Sequence, residues 1–138
     1  MKSWQIILVI ALFALTANAA ESRRIYRNSQ GRIIGTVTKH GNQSIYRDAL
    51  GCKKGSAATY GKTTIYRNSL GQKIGTRTVI GKTAIYRDAW GRTTRKSYTY
   101  GRTTTYRDTR GRTIGTATRS RGRTTYRSAA GRTRGTRR

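Results

Sequence analysis

The sequence predicts an all-β fold built from six β-hairpin repeats. The clearest sign is a tyrosine that recurs every 20 residues, at Tyr26, Tyr46, Tyr66, Tyr86, Tyr106 and Tyr126. Glycine recurs about every ten residues, and the segments between glycines are rich in Thr, Ile, Tyr and Val and contain no proline. A fixed period indicates a repeat array in which neighbouring units supply the core, and this composition favours strands.

The glycine spacing also argues against helices. A glycine every ten residues would cost a helix about 1 kcal/mol at each position, and no apolar stripe of helical period is present. We therefore predict two strands and two tight turns in each repeat. The segment 48–51, Asp-Ala-Leu-Gly, is typical of a type I turn followed by a bulge with glycine in the left-handed conformation. The segment 38–41, Thr-Lys-His-Gly, predicts a similar second turn.

Identical turns would determine the strand register. Counting outward from the first turn pairs Tyr26 with Ile34 and Ile25 with Gly35, and across the next turn Ile34 pairs with Tyr46. Side chains alternate between faces along a strand. The tyrosines would then share a face with isoleucine, and the glycines would lie on the opposite face beside the other isoleucines. The predicted core is thin.

Two architectures satisfy this register. One is an antiparallel meander of up to 12 strands, either closed into a ring or barrel or left as a curved sheet. The other is a β-solenoid with one coil per repeat. A solenoid would stack the arginines that follow the tyrosines at about 4.8 Å, whereas a meander alternates them with other residues. Repulsion between like charges therefore favours the meander.

The first 20 residues predict a secretory signal peptide. Lys2 precedes an apolar run over residues 6–15, and small residues follow at 16–20. This order is typical of an export signal, and the run is shorter than the ~20 residues that span a bilayer. Residues 21–138 would then form the six-repeat domain of a secreted, periplasmic or cell-surface protein.

The charge of the chain is strongly positive. Residues 21–138 hold 29 Lys and Arg against four acids, a formal net charge of +25. Such a charge repels itself and attracts polyanions. Residues 101–138 contain 12 arginines and a single acid, Asp108. We therefore expect this C-terminal third to be the least stable part of the domain.

Nothing in the sequence predicts catalysis, a cofactor or a metal site. His40, the only histidine, falls in a predicted turn, where a polar loop residue is more common than a general base. Three aspartates occupy one turn position that Asn or Ser fills in the other repeats, which indicates turn capping: Asp48, Asp88 and Asp108. Cys52 stands where other repeats have Arg or Gln, so it is either a tolerated substitution or a thiol that pairs two chains.

Basic residues recur at two repeat positions. One set follows the tyrosines: Arg27, Arg47, Arg67, Arg87, Arg107 and Arg127. The other follows the second turn glycine: Lys62, Lys82, Arg102 and Arg123. Each set would form a row along the sheet. Guanidinium groups bind phosphate, sulfate or carboxylate through paired hydrogen bonds, and the tyrosines would pack in the core or stack on bases or sugars. A solvated charged face that prevents aggregation is the alternative; the excess of arginine favours anion binding.

The segment 106–112, Tyr-Arg-Asp-Thr-Arg-Gly-Arg, resembles the tyrosine–aspartate (YD) repeats of Rhs-type bacterial shell proteins, whose hairpin turn carries Asp-x-x-Gly-Arg. The chain also resembles short exported bacterial proteins made of Tyr-Asp-x-x-Gly-Arg-x-Ile-Gly hairpins, which form flower-like β assemblies. Here one residue separates Tyr from Asp, and six repeats are too few for a toxin-enclosing shell. The resemblance implies an exported bacterial β-hairpin protein and no particular activity.

These observations give one leading hypothesis and two alternatives. The leading hypothesis is a secreted, non-enzymatic protein that binds an extended polyanion, such as lipopolysaccharide, acidic polysaccharide or extracellular nucleic acid. The first alternative is a structural envelope or matrix protein that associates with itself. The second is a cationic, membrane-active toxin, although a contiguous apolar face is lacking and contact with a membrane would be peripheral.

Overall fold

Twelve antiparallel strands form the part of the chain described by the computed structural model, residues 22–138. The predicted signal peptide lies outside this range. The strands are β1 (Ser22–Asn28), β2 (Ile33–His40), β3 (Gln43–Asp48), β4 (Lys53–Tyr60), β5 (Thr63–Asn68), β6 (Lys73–Ile80), β7 (Thr83–Asp88), β8 (Thr93–Tyr100), β9 (Thr103–Asp108), β10 (Thr113–Ser120), β11 (Arg123–Ser128) and β12 (Thr133–Arg137). Within residues 22–138 no helix has the length and apolar character needed to cross a membrane.

Each strand pairs with its neighbours in sequence, and the first strand pairs with the last. At this seam Tyr26 lies opposite Arg137 and Asn28 lies opposite Gly135. The sheet is therefore a closed barrel. The predicted all-β meander in its closed form is confirmed, and the β-solenoid alternative is wrong.

Six turns of one kind form one rim of the barrel, which we call the long-turn rim. In the first of them the Gly31 N–H donates to the Asn28 carbonyl at 3.1 Å, and the Asn28 N–H donates to the Arg32 carbonyl at 2.9 Å. Gly31 has a φ of +80°. The Asn28 side chain also accepts the N–H groups of Gln30 and Arg32. The type I turn with its glycine bulge is thus present as predicted.

Five shorter turns form the opposite rim, the short-turn rim. His40 pairs directly with Gln43, so Gly41 and Asn42 make a two-residue loop. A positive φ of 55° at Gly41 alone fits a type II′ turn. The expectation that both turns have the same geometry was therefore wrong. The short turn is the kind that preserves strand twist in a hairpin of minimum length.

The last short turn contains Arg121 and Gly122 instead of a leading glycine. Both residues have positive φ, 44° and 76°, as a type I′ turn requires. Ser120 still pairs with Arg123. The displaced glycine changes the turn type without shifting the register, so the strands of the sixth repeat remain in phase with the others.

A bulge in β2 shifts the predicted register. Arg27 pairs with Ile33 but Tyr26 pairs with Gly35, so Ile34 is an extra residue on its strand. The same register shift occurs in each of the other five repeats. The predicted pairing of Tyr26 with Ile34 was wrong because the bulge consumes one residue.

The bulge places glycine and tyrosine on the same face, the interior of the barrel. Val37, rather than Ile34, lies opposite Tyr46 across the next hairpin. Close approach of the strands explains the glycine: a Cβ on Gly35 would lie 2.6 Å from the Arg47 carbonyl oxygen. The predicted separation of tyrosine and glycine onto opposite faces was therefore wrong.

The core consists of the six repeat tyrosines, which lie two residues from the long-turn rim and are buried in the interior. Small residues continue the core toward the short-turn rim: Val37, Ala57, Ala84 and Ala117. The isoleucines that precede the tyrosines lie on the outer face and are half-buried: Ile25, Ile45, Ile65 and Ile85. Tyrosine therefore fills one end of the barrel, and the buried apolar residues toward the other end are smaller.

Candidate functional site

Closure of the sheet turns the predicted arginine row into a ring. We call this set the outer ring: Arg27, Arg47, Arg67, Arg87, Arg107 and Arg127. Each member follows a buried tyrosine, so alternation places it on the outer face, one residue from a long turn. All are exposed except Arg87, which is half-buried. Six guanidinium groups therefore surround the long-turn rim.

The turns hold several of these guanidinium groups close to the rim. Arg27 Nη1 donates to the Gly31 carbonyl at 2.9 Å, and Arg67 Nη1 donates to the Gly71 carbonyl at 2.9 Å. A guanidinium has five N–H donors. One bond to the turn orients the group and leaves donor capacity for an anion.

Basic residues face one another across neighbouring strands on the outside of the barrel. Arg47 lies opposite Lys53, and Arg67 lies opposite Lys73. Like charges directly opposite each other in a sheet are destabilising. An anion bound between them would relieve this repulsion, so the outer face near the long-turn rim is suited to anion binding.

The aspartates near this rim serve the turns. Oδ1 of Asp88 accepts the N–H groups of Trp90 and Arg92, and Oδ2 accepts from Arg92 Nε at 2.8 Å. Burial alone would raise the pKa of Asp88, but the hydrogen bonds from Arg92 outweigh it and hold the pKa below its ordinary value. Asp108 and Asp48 make equivalent bonds, the latter with Lys54 as its ion pair.

Three apolar side chains project from adjacent long turns. Leu50, Leu70 and Trp90 occupy the same turn position and are 81–89% exposed. The Arg92 guanidinium lies 5.0 Å from the centre of the Trp90 ring. The long-turn rim therefore combines an arc of exposed apolar tips with the arginines of the outer ring.

The second predicted basic set lies at the opposite end of the barrel. Lys62, Lys82 and Arg102 are the second residues of short turns. Arg123 is the first residue of β11 and is not equivalent to them, because the last short turn holds its glycine in the second position. Residues of the two basic sets therefore cannot bind the same phosphate, sulfate or carboxylate group.

The tyrosines belong to the core. All six are 2–7% exposed and face the interior, whereas the outer ring faces solvent. Burial raises the pKa of the Tyr66 and Tyr126 hydroxyls. Stacking of these rings on a ligand held by the outer ring is excluded by the sheet between them.

Sequence reasoning missed a set of inward-facing arginines, which we call the lumen arginines: Arg24, Arg77, Arg95, Arg119 and Arg137. Arg95 replaces the interior glycine in the fourth repeat, and its guanidinium lies 4.5 Å from the centre of the Tyr86 ring. Burial lowers the pKa of Arg95. The signal was present for Arg24, which precedes Tyr26 by two residues and shares its face. The other four lie on strands that contain the bulge, which reverses the face to which alternation from the turn would assign them.

A cavity of about 320 Å³ lies inside the barrel. Its lining residues are Arg77, Tyr86, Ser97, Thr99, Gly101, Arg102, Thr104, Tyr106, Ala117, Arg119, Thr124 and Arg137. Arg77 Nε donates to the Tyr86 hydroxyl at 3.3 Å, and Arg137 Nη2 donates to Thr124 Oγ1 at 3.2 Å. None of these lining residues is acidic.

Comparison with family models, curated proteins and solved structures finds no match to this chain. The resemblance to tyrosine–aspartate repeats therefore stays a prediction. Within residues 22–138 no group of three or more His, Cys, Asp or Glu residues is placed to hold a metal ion. Cys52 is exposed in a long turn.

Proposed function

We propose that this protein is a secreted, non-enzymatic β-barrel that binds extended polyanions through its outer ring. The proposal depends mainly on one observation: each repeat contributes one arginine to the outer ring, so six arginines surround the long-turn rim. The aspartates at this rim are engaged by the turns, so the outward charge there is not balanced by side chains of the long turns.

The spacing of the ring suits a ligand with repeated charges. Successive members of the outer ring lie two strands apart, which is roughly 10 Å at the usual interstrand distance. A compact anion reaches one guanidinium at this spacing, whereas a charged polymer reaches several. Several weak contacts on one chain then act together and raise the overall affinity.

The exposed tips of Leu50, Leu70 and Trp90 favour an amphiphilic polyanion among the candidates. They lie on adjacent turns, each of which follows a member of the outer ring, and burial of apolar side chains away from water is favourable. Lipopolysaccharide carries phosphate groups next to acyl chains, and it fits this combination better than nucleic acid or a purely polar polysaccharide.

The decisive test compares two charge-matched variants on immobilised lipopolysaccharide and heparin. Arg47→Gln with Arg67→Gln removes two charges from the outer ring, and Lys62→Gln with Lys82→Gln removes two charges from the opposite rim. We expect only the first variant to lose most of its affinity. Wild-type binding should fall steeply with salt, by about 10³-fold or more between about 50 and 200 mM for a duplex-like polyanion. Salt-insensitive binding, or an equal loss in both variants, would contradict the proposal.

Barrel closure weighs against the self-assembling alternative. The pairing of β1 with β12 leaves no unpaired strand edge among the described strands, and free edges are the usual route to association of β proteins. Size measurement at several salt concentrations separates the two functions, because a structural assembler would stay polymeric without an anion. Leakage from anionic vesicles would instead support the membrane-active alternative.

A further inference from the structure

The interior of the barrel carries positive charge that binding at the outer ring does not use. We propose that the cavity near the short-turn rim is a second, separate anion site, which takes a phosphate or sulfate group carried on a small organic molecule.

Two lumen arginines face each other across this cavity. Arg77 lies on β6 and Arg137 on β12, at equivalent positions of the third and sixth repeats. In a ring of twelve strands, β6 and β12 lie on opposite sides. Both side chains line the cavity. An anion between them would therefore receive hydrogen bonds from two directions.

No acidic residue lines the cavity to balance the positive charge of its arginines. Arg102 and Arg119 also line the cavity, and Arg24 lies close enough to Arg137 and Arg119 to be affected by their charges. Arg137 is buried and Arg77 is half-buried, whereas Arg102 and Arg119 are exposed at the rim. A charge taken out of water requires a partner of opposite sign to offset the cost of desolvation. A bound oxyanion supplies that partner, and guanidinium groups bind oxyanions through paired hydrogen bonds.

Packing alone does not explain these arginines. Other repeats place Val37, Ala57 and Ala117 at the position of Arg77 and Arg137, and the barrel closes around them. Small side chains therefore suffice to build the wall. The two arginines are specific additions to a repeat that does not need them.

The shape and polarity of the cavity define the ligand. Its volume of about 320 Å³ is within the range of small-molecule sites. Hydroxyls of Ser97, Thr99 and Thr104 line it, with the rings of Tyr86 and Tyr106. The tyrosine core fills the lumen beyond these rings, so entry is from the short-turn rim. A small molecule fits this cavity, which is open to solvent at the short-turn rim, and a polymer threaded through the barrel does not.

Calorimetry on the purified protein tests the site with defined probes. Inorganic phosphate and glucose 6-phosphate are titrated at constant ionic strength, with glucose as the neutral control. We expect saturable binding of one phosphate group per chain and no binding of glucose. Tighter binding of glucose 6-phosphate would show that the tyrosines and hydroxyls contact the organic part, and equal binding would show that the oxyanion supplies the affinity.

Matched variants distinguish the cavity from the outside of the barrel. Arg77→Ala with Arg137→Ala introduces the residue that the second and fifth repeats carry, and we expect it to weaken phosphate binding at least about tenfold. Arg32→Gln with Arg132→Gln copies Gln72 of the third repeat, removes the same charge from the exposed long turns and should leave phosphate binding unchanged. If circular dichroism shows that the double alanine variant is unfolded, Arg119→Thr, which copies Thr99 of the fourth repeat, replaces it with the same expectation.

Two results would overturn this inference. One is the absence of saturable phosphate binding to the wild-type protein. The other is an equal loss in the cavity and long-turn variants, which would indicate general electrostatic attraction. Neither result bears on polyanion binding at the outer ring, since that is measured with polymeric ligands too large for the cavity.

Discussion

Individual tyrosines in the core differ in how their hydroxyls are satisfied. The Tyr86 hydroxyl accepts a hydrogen bond from Arg77 Nε at 3.3 Å. The Tyr66 hydroxyl is buried without a hydrogen-bond partner among residues 22–138. A buried polar group without a partner costs free energy, whereas a paired one contributes to stability. Equivalent tyrosines of the repeat therefore differ in their contribution to stability.

This difference predicts opposite effects of one substitution. Tyr66→Phe removes an unsatisfied hydroxyl and should leave the free energy of unfolding unchanged or raise it by up to about 1 kcal/mol. Tyr86→Phe removes a bond to a charged donor and should lower the free energy of unfolding by about 1 kcal/mol. Urea unfolding followed by circular dichroism measures both. Equal losses in the two variants would contradict this assignment.

Tyrosine burial also predicts a pH limit to stability. Burial raises the pKa of several core hydroxyls, among them Tyr26, Tyr46 and Tyr106. In the unfolded chain these hydroxyls ionise near pH 10, so above that value the unfolded state releases protons that the folded state retains. Stability should be fully present below about pH 10 and fall as pH rises further.

Thermal unfolding at a series of alkaline pH values, with tyrosinate absorbance recorded in parallel, checks this expectation. The core tyrosines should ionise together with loss of the barrel. Ionisation of every tyrosine near pH 10 while the strands remain folded would show that the rings are accessible to solvent.

At the scale of single elements, the long turn was predictable and the short turn was not. Asn28 and Gly31 determine the long turn because one caps it and the other adopts positive φ. The short turn contains glycine at a similar spacing, and nothing in Thr38-Lys39-His40-Gly41 distinguishes a two-residue loop from a longer one. The bulge at Ile34 depends on how strands approach one another in the closed sheet. The residues around Ile34 give no sign of the bulge in the sequence.

Capping of the long turn gives the third prediction. The Asn68 side chain accepts the N–H groups of Leu70 and Gln72 at 3.0 and 2.9 Å. Asn68→Ala removes both bonds, together with the exposed Nδ2 bond to Gln72, and should lower the free energy of unfolding by about 1–2 kcal/mol. Asn68→Asp copies the residue of three other repeats, keeps the two N–H bonds and loses only the bond to Gln72, so its loss should be smaller. Chemical denaturation of the two variants provides the comparison, and similar stabilities would mean that glycine alone determines the turn.

At the scale of the whole molecule, the sequence predicted an antiparallel meander, left open whether it closes, and did not predict which side chains line its interior. The outer ring follows from the repeat, since every copy places Arg after Tyr. The lumen arginines depart from the repeat, and their convergence depends on which strands lie opposite each other. That relation appears only when the number of strands and the closure are known. The lining of the interior is therefore determined by positions at which the repeats differ, and the consensus of the repeat does not show it.

Closure also predicts where the barrel opens first. The β1–β12 ladder pairs three residues of β1, whereas the β1–β2 ladder pairs six. Two further backbone bonds join Ile25 and Arg138 at 3.1 and 3.3 Å. Amide hydrogen exchange should be fastest along this seam and slower in β5 and β6, whose ladders on both sides contain five or six residue pairs. Uniform protection around the barrel would show that the seam is as stable as the hairpins.

The meeting of the first and last strands has a consequence for the order of the chain. Ile25 and Arg138 are bonded neighbours three residues along β1 from its short-turn end at Ser22, and each short turn at that rim joins two successive copies. Arg138 faces Ile25 as Thr38 faces Ile45, so the chain stops three residues short of a sixth short connection to Ser22. A linker of about three residues from Arg138 to Ser22, with a new break between Gly101 and Arg102, would give a circular permutant whose copies occupy the same circle from a different starting point.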